Sequence, residues 1–210
     1  MPEPSDHPAI QRVRDAAARK GVTLDIRTFD VSTHTAEEAA ATVGAELGQI
    51  VKSLVFVATS EDGTLEPVIC LVSGPNRVDL GRLAAVAGDR DIRRSTAREA
   101  QELTGYVIGG IPPFAHLRNG PIRTIMDPDL TRFPVVWAAA GTPTAVFPVP
   151  PGTLRILANA TVAPIAVDTV DPVQPSSPTG TAGGAGAAGA ADAPADTLAE
   201  FAAAPTNAGA

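Results

Sequence analysis

Lys52 and Ser53 are the two polar side chains in an otherwise apolar run from Ile50 to Ala58. The run reads as a largely buried strand, so an ammonium and a hydroxyl near its entrance need an explanation. Two readings stand open. Lys52 can lay its stem on apolar surface with its charge in water, or it can point into a cleft and meet an anionic or carbonyl oxygen. The other polar sets carry less. Ser73, His116 and Asp127 could be drawn into a nucleophilic triad, yet no Gly-x-Ser-x-Gly elbow accompanies them, and such a trio can be picked from almost any chain. His7, His34 and His116 are dispersed, with no second histidine or cysteine three to five residues on, so no metal site is expected. Gly105, Gly109 and Gly110 are followed by no Gly-Lys-Ser/Thr and do not match a dinucleotide fingerprint, so no nucleotide cofactor is expected either. Arginines gather at 77, 82, 90, 93, 94 and 98, diluted by Asp79, Asp89 and Asp91. That pattern suits a solvated face or contact with a polynucleotide backbone.

Helices and strands must position these groups. Asp6 is expected to cap a first helix carrying Ile10, Val13 and Ala17 on one face, stopped by Gly21. A short edge strand is predicted over Leu24–Phe29. Thr35 and Glu38 have capping-box spacing and open a helix that ends at Gly44. Strands Lys52–Thr59 and Leu65–Ser73 flank Asp62-Gly63, a hairpin signal, and should pair antiparallel. Asp79 caps a helix closed by Gly88, and Thr96 with Glu99 opens another closed by Gly105, with Arg93 and Arg94 on the link between them. From Gly105 to Phe114, paired glycines and paired prolines forbid a regular element and predict an ordered loop. Strands are predicted again at Ile122–Met126, Val135–Ala139 and Ala145–Val149. A closing helix over Thr153–Ala160 is followed by a strand over Val162–Ile165. This alternation without a strict βαβ period favours an α+β fold built on a mixed, barrel-like sheet surrounded by helices.

Composition sets outer limits. The 210 residues carry a formal charge of −7, and the last 40 positions contain 14 Ala, 6 Gly, 5 Pro, four acids and no base. Such a segment buries too little apolar surface to offset chain entropy. One domain over residues 1–168 and a disordered tail over 169–210 are therefore expected, the tail being dispensable for chemistry. The remainder is only mildly acidic, which argues against bulk electrostatic grip on nucleic acid but not against a transient nucleic-acid substrate. The single Cys70 sits in an apolar run and reads as a buried, inert thiol. The N-terminus lacks the basic and apolar regions of a secretion signal, so a cytoplasmic location is expected. The charge-free window Phe133–Pro150 holds four prolines and a glycine, which predicts two buried strands around a turn and no membrane span.

The order of these pieces resembles the YbaK/prolyl-tRNA synthetase-associated domain family, a set of aminoacyl-tRNA deacylases. The segment Val43 to Phe56, with Gly44, Gly48, Lys52 and Ser53, is similar to the family's opening signature. Val72 to Leu80, with Ser73, Gly74, Arg77 and Asp79, is similar to its next segment. Tyr106 and the run Gly109-Gly110-Ile111-Pro112-Pro113-Phe114 resemble its most characteristic loop, and Asp127 to Leu130 and Ala139 to Gly141 complete the match, over about Ala9 to Ile165. The resemblance implies a trans-editing hydrolase that cleaves the ester bond of mischarged aminoacyl-tRNA without metal or cofactor. Its implied partners are the tRNA acceptor end and an aminoacyl-tRNA synthetase. It implies catalytic roles for Lys52, in contact with the aminoacyl or terminal adenosine moiety, and for Gly141, through backbone amides near the scissile carbonyl. Substrate contacts are implied for Ser53, Ser73, Gly109, Gly110, Pro112, Pro113, Phe114 and Thr142. Ser53 stands where threonine is common. Thr142-Pro143-Thr144-Ala145 follows Gly141 where some subfamilies carry His, Lys or another Gly, and these positions help set which amino acid is accepted. The alternative is a catalytically weak binding module that uses the same pocket for an aminoacyl or nucleotide ligand or a protein partner.

Overall fold

The computed structural model describes residues 7–30, 35–60, 63–88, 91–118 and 120–167. The expected Asp6 cap, the Asp62 turn residue and the tail beyond residue 168 lie outside them.

Local chemistry sets most helix ends. Helix α1 (Pro8–Ala18) has Pro8 in its first turn and buries Ala9, Ile10, Val13 and Ala17. At its cap position stands His7, whose ring nitrogen accepts the Ala9 N–H at 3.1 Å. Strand β1 (Arg27–Thr28) follows, shorter than the predicted 24–29 because only these residues meet a partner strand. Thr35 and Glu38 form a reciprocal capping box on α2 (Ala36–Val43), which ends in left-handed Gly44. After a 3-10 turn at Leu47–Gln49, β2 (Val51–Thr59) and β3 (Leu65–Ser73) make the predicted antiparallel hairpin. Asp79 caps α3 (Leu80–Ala87), β4 (Arg93–Arg94) follows, and the Thr96–Glu99 box opens α4 (Ala97–Thr104). Then come β5 (Arg123–Met126), a 3-10 turn at Pro128–Arg132, β6 (Val136–Ala139), β7 (Ala145–Val149), α5 (Pro151–Ala158) and β8 (Thr161–Val162). Helix α5 starts two residues earlier than expected because Pro151 is suited to a first helical turn.

The strands form two sheets, one in the order β1-β7-β6 and one in the order β4-β2-β3-β5-β8. The larger is mixed: β2 is antiparallel to both β3 and β4, while β3–β5 and β5–β8 are parallel. A single parallel bridge between Ile50 and Trp137 links the sheets. Among the described residues this is an open, joined pair and not a closed ring. Both faces of the larger sheet are covered, which is why β3 is apolar without a break from Pro67 to Val72. Ile69 and Leu71 face a core with α1, β6, β7 and α5, whereas Val68, Cys70 and Val72 face Leu83 of α3 and Ile165. Burial pushes the Cys70 thiol up to about 12, so it stays protonated and unreactive at neutral pH. No described helix is long and apolar enough to cross a membrane.

Candidate active site

Strand β2 has β3 along one edge over its full length, but on its other edge β4 covers only Phe56 and Val57. The first half of that edge is left to a cavity of about 240 Å³. Five consecutive residues, Val51 to Val55, line it, so the strand presents an edge and contributes from both faces. Ala36, Ala39 and Val43 of α2 form one wall, and Trp137, Ala139 and Val146 of β6 and β7 form another. Ile108, Gly109 and Ile111 close it from the 105–114 loop. The lining is apolar except for a few groups, among them Lys52, Ser53, Arg94 and Ser95. This is the composition of a small-molecule site with a few orienting polar groups.

Lys52 is half-buried, and its Nζ donates to the backbone carbonyl of Asn76 at 2.6 Å. Burial lowers its pKa from the ordinary value; Glu37 opposes the shift, and Arg94 and Arg77 add to it. The ammonium thus sits partly desolvated beside apolar walls, a setting that strengthens its attraction for an anionic or oxyanionic guest. The Ser53 Oγ is buried without a hydrogen-bond partner. Such an orphan costs about 1–3 kcal/mol and suits a site whose partner arrives with a ligand.

The structure divides the other sequence candidates. Gly109 lines the cavity together with Lys52 and Ser53. Gly110 lies behind it, so close to the next turn that a Cβ there would stand 2.7 Å from the carbonyl carbon of Thr142 and 2.8 Å from its Cα. Because those atoms are backbone, Gly110→Ala should cost about 1–3 kcal/mol, read as a lowered midpoint in urea unfolding. Thr142 pairs its hydroxyl with Thr144 at 3.2 Å. Gly141 has φ +102° and packs against the Ala9 carbonyl and the Tyr106 ring, two residues beyond the cavity-lining Ala139. Pro113 and Phe114 line a second cavity with His116, and Phe114 also packs edge-on to Phe147 in the core. The Pro112 carbonyl meets His116 Nε2 at 2.8 Å, and the Tyr106 hydroxyl donates to Ala115 O at 2.7 Å. Burial holds the His116 imidazole below its usual pKa. These bonds make the 105–118 segment an ordered loop, as its composition requires.

Ser73, His116 and Asp127 do not converge. The Ser73 hydroxyl donates to Gly48 O at 2.6 Å, which ties the entrance of β2 to the end of β3. Asp127 accepts backbone N–H groups. Arg93 and Arg94 belong to β4 and not to a link, because their backbones pair with Val57 and Phe56. The sequence reading passed over Trp137 and Arg94 as cavity residues. The chain's only tryptophan, in a charge-free run, was the available signal for the first. Arg27 stacks on its ring at 4.8 Å.

The α+β fold thus brings Lys52, Ser53 and the glycine- and proline-rich loop to one edge-strand cavity. Residues 30–157 match the aminoacyl-tRNA editing domain, and the chain belongs to that family. It is 45 % identical, with a TM-score of 0.68, to a crystal structure described as "a putative trans-editing enzyme for prolyl tRNA synthetase"; the match covers 76 % of this chain and 98 % of that one. It is 32 % identical over 117 residues to the uncharacterized protein YwhH of Bacillus subtilis, covering 56 % of this chain and 70 % of that protein. It is 32 % identical over 104 residues to the multifunctional Ser/Thr-tRNA deacylase ProXp-y of Escherichia coli K12, covering 48 % and 60 % respectively.

Proposed function

We propose that this protein is a trans-editing hydrolase that cleaves the ester between a wrongly attached amino acid and the 3′ end of a tRNA. The observation that carries the reading is the Lys52 ammonium, half-buried at the edge of an apolar cavity in an editing-domain chain. An aminoacyl ester is already reactive, so its hydrolysis gains most from stabilising the oxyanion that forms when water adds to the carbonyl carbon. The carbon–oxygen ester bond then breaks, the ribose oxygen leaves as a hydroxyl, and the amino acid departs as a carboxylate. Lys52 would hold the aminoacyl oxygen or its developing charge, and Gly109 and Ser53 would border the guest. Gly141 would fix the turn after β6, its amides being the further donors. Ser73, Gly110, Pro112, Pro113, Phe114 and Thr142 would act by holding the strand entrance, the loop and that turn in place. Among the described residues the lining carries no His, Cys or carboxylate, and the reaction proposed uses no metal.

The proposed partners are the acceptor end of an aminoacyl-tRNA and a synthetase that supplies mischarged product. A panel of mischarged tRNAs tests the reading. Deacylation above the buffer rate is expected for at least one small amino acid, and none for any of them would leave the catalytically weak binding module in its place.

A further inference from the structure

Any residue can offer a backbone carbonyl to a lysine, so the carbonyl alone does not explain an asparagine at position 76. Its side chain does. Asn76 is 3 % exposed, and its Nδ2 donates to Asp129 Oδ2 at 2.7 Å, across 53 positions of sequence. The Asn76 N–H donates to Ser73 O at 2.9 Å, which closes the turn after β3. The Asp129 N–H in turn donates to Asp127 Oδ1 at 3.1 Å, and Asp127 is buried. A continuous series of hydrogen bonds therefore runs from the ammonium of Lys52, through the Asn76 carbonyl and amide, to a carboxylate fixed on the 3-10 turn after β5. A lysine has four rotatable side-chain bonds, and holding its charge at one point costs entropy unless the surroundings specify that point.

We propose that Asn76 and Asp129 are positioning residues for the reaction, which hold the carbonyl that aims the Lys52 ammonium at the cavity. The inference rests on the editing role proposed for Lys52. Neither residue touches the substrate; both act through the lysine. A buried amide that is merely satisfied would matter for stability alone, and the two roles separate in a mutant cycle.

The test is single-turnover deacylation by the full chain, with melting temperatures, for Asn76→Ala, Asp129→Ala, their double variant, Asp129→Asn and Lys52→Ala, and for Asn76→Ala and Asp129→Ala each in the Lys52→Ala background. Asn76→Ala and Asp129→Ala cut the same link from its two ends. Each should lower the rate by about tenfold, the pair together should lose little more, and each should change the rate less than about twofold when Lys52 is already alanine. Asp129→Asn keeps an acceptor oxygen and should retain most of the rate. Should Asn76→Ala fail to fold, the Asp129 variants decide alone, since that side chain is 38 % exposed. Equal losses in both backgrounds would overturn the inference. So would an undiminished rate in Asp129→Ala while Lys52→Ala loses its activity. Full activity in Lys52→Ala would instead bring down the editing role of the lysine, and this inference with it.

Discussion

Lys52→Ala should lower single-turnover deacylation by about 100-fold or more while the protein stays folded. The stability cost is expected to be small. The change removes one hydrogen bond to the Asn76 carbonyl and vacates a side chain that lines the cavity, where water can take its place, so about 1 kcal/mol is at stake. Lys52→Arg should not rescue the rate. Its planar fork is longer and broader than an ammonium, and the contact to reproduce is a single 2.6 Å bond in a space already neighboured by Arg94 and Arg77. A role exerted only through surface charge would be rescued by arginine. The same lysine gives a pH signature. Its pKa is lowered below 10.5, chiefly by burial, so between the lowered value and 10.5 the unfolded chain binds more protons than the folded one. Folding stability from this group therefore rises with pH across that window, and the rise should vanish in Lys52→Ala. Full turnover in the alanine variant would return Lys52 to a lysine that merely packs its stem.

What the sequence made legible was local. The boxes at Thr35–Glu38 and Thr96–Glu99 and the cap at Asp79 were readable because cap and helix lie within three residues of each other. The β2–β3 hairpin was readable for the same reason, with Lys52 and Ser53 conspicuous inside it. Strand β4 was not, because two exposed arginines carry no periodic signal and become a strand only where β2 offers them an edge. The cavity was half legible. Gly109 could be placed near Lys52 through the family resemblance, but α2 and Trp137 reach the same space from positions about a hundred residues apart, and no spacing along the chain reports that meeting. Asn76 was readable only as part of a motif, since its partner Asp129 is supplied by the parallel pairing of β3 with β5.

Asp127→Ala should be the most destabilising single change considered, at about 3–5 kcal/mol. Asp127 is 3 % exposed, and its two oxygens serve three backbone donors: Asp129 N at 3.1 Å, Ile165 N at 3.1 Å and Ala166 N at 2.9 Å. Two of these donors lie in the segment after β8, which is also joined to the 76–82 region by Asp79 N to Ile165 O, Val167 N to Arg77 O and Arg82 to Ala166 O. Removing the carboxylate strands three N–H groups and loosens the segment that covers Cys70, Val72 and Leu83 with Ile165. Asp127→Asn separates capping from bridging. An amide can accept with its one oxygen, either from Asp129 N as an N-cap or from the Ile165 and Ala166 pair, but its NH2 then faces the remaining donors. Its loss should fall between wild type and alanine. Thermal unfolding would read the alanine change as a fall of about 10 °C. A fall of only a degree or two would mean that water reaches those amides, and that the bonds to Arg77, Asp79 and Arg82 hold the segment without Asp127.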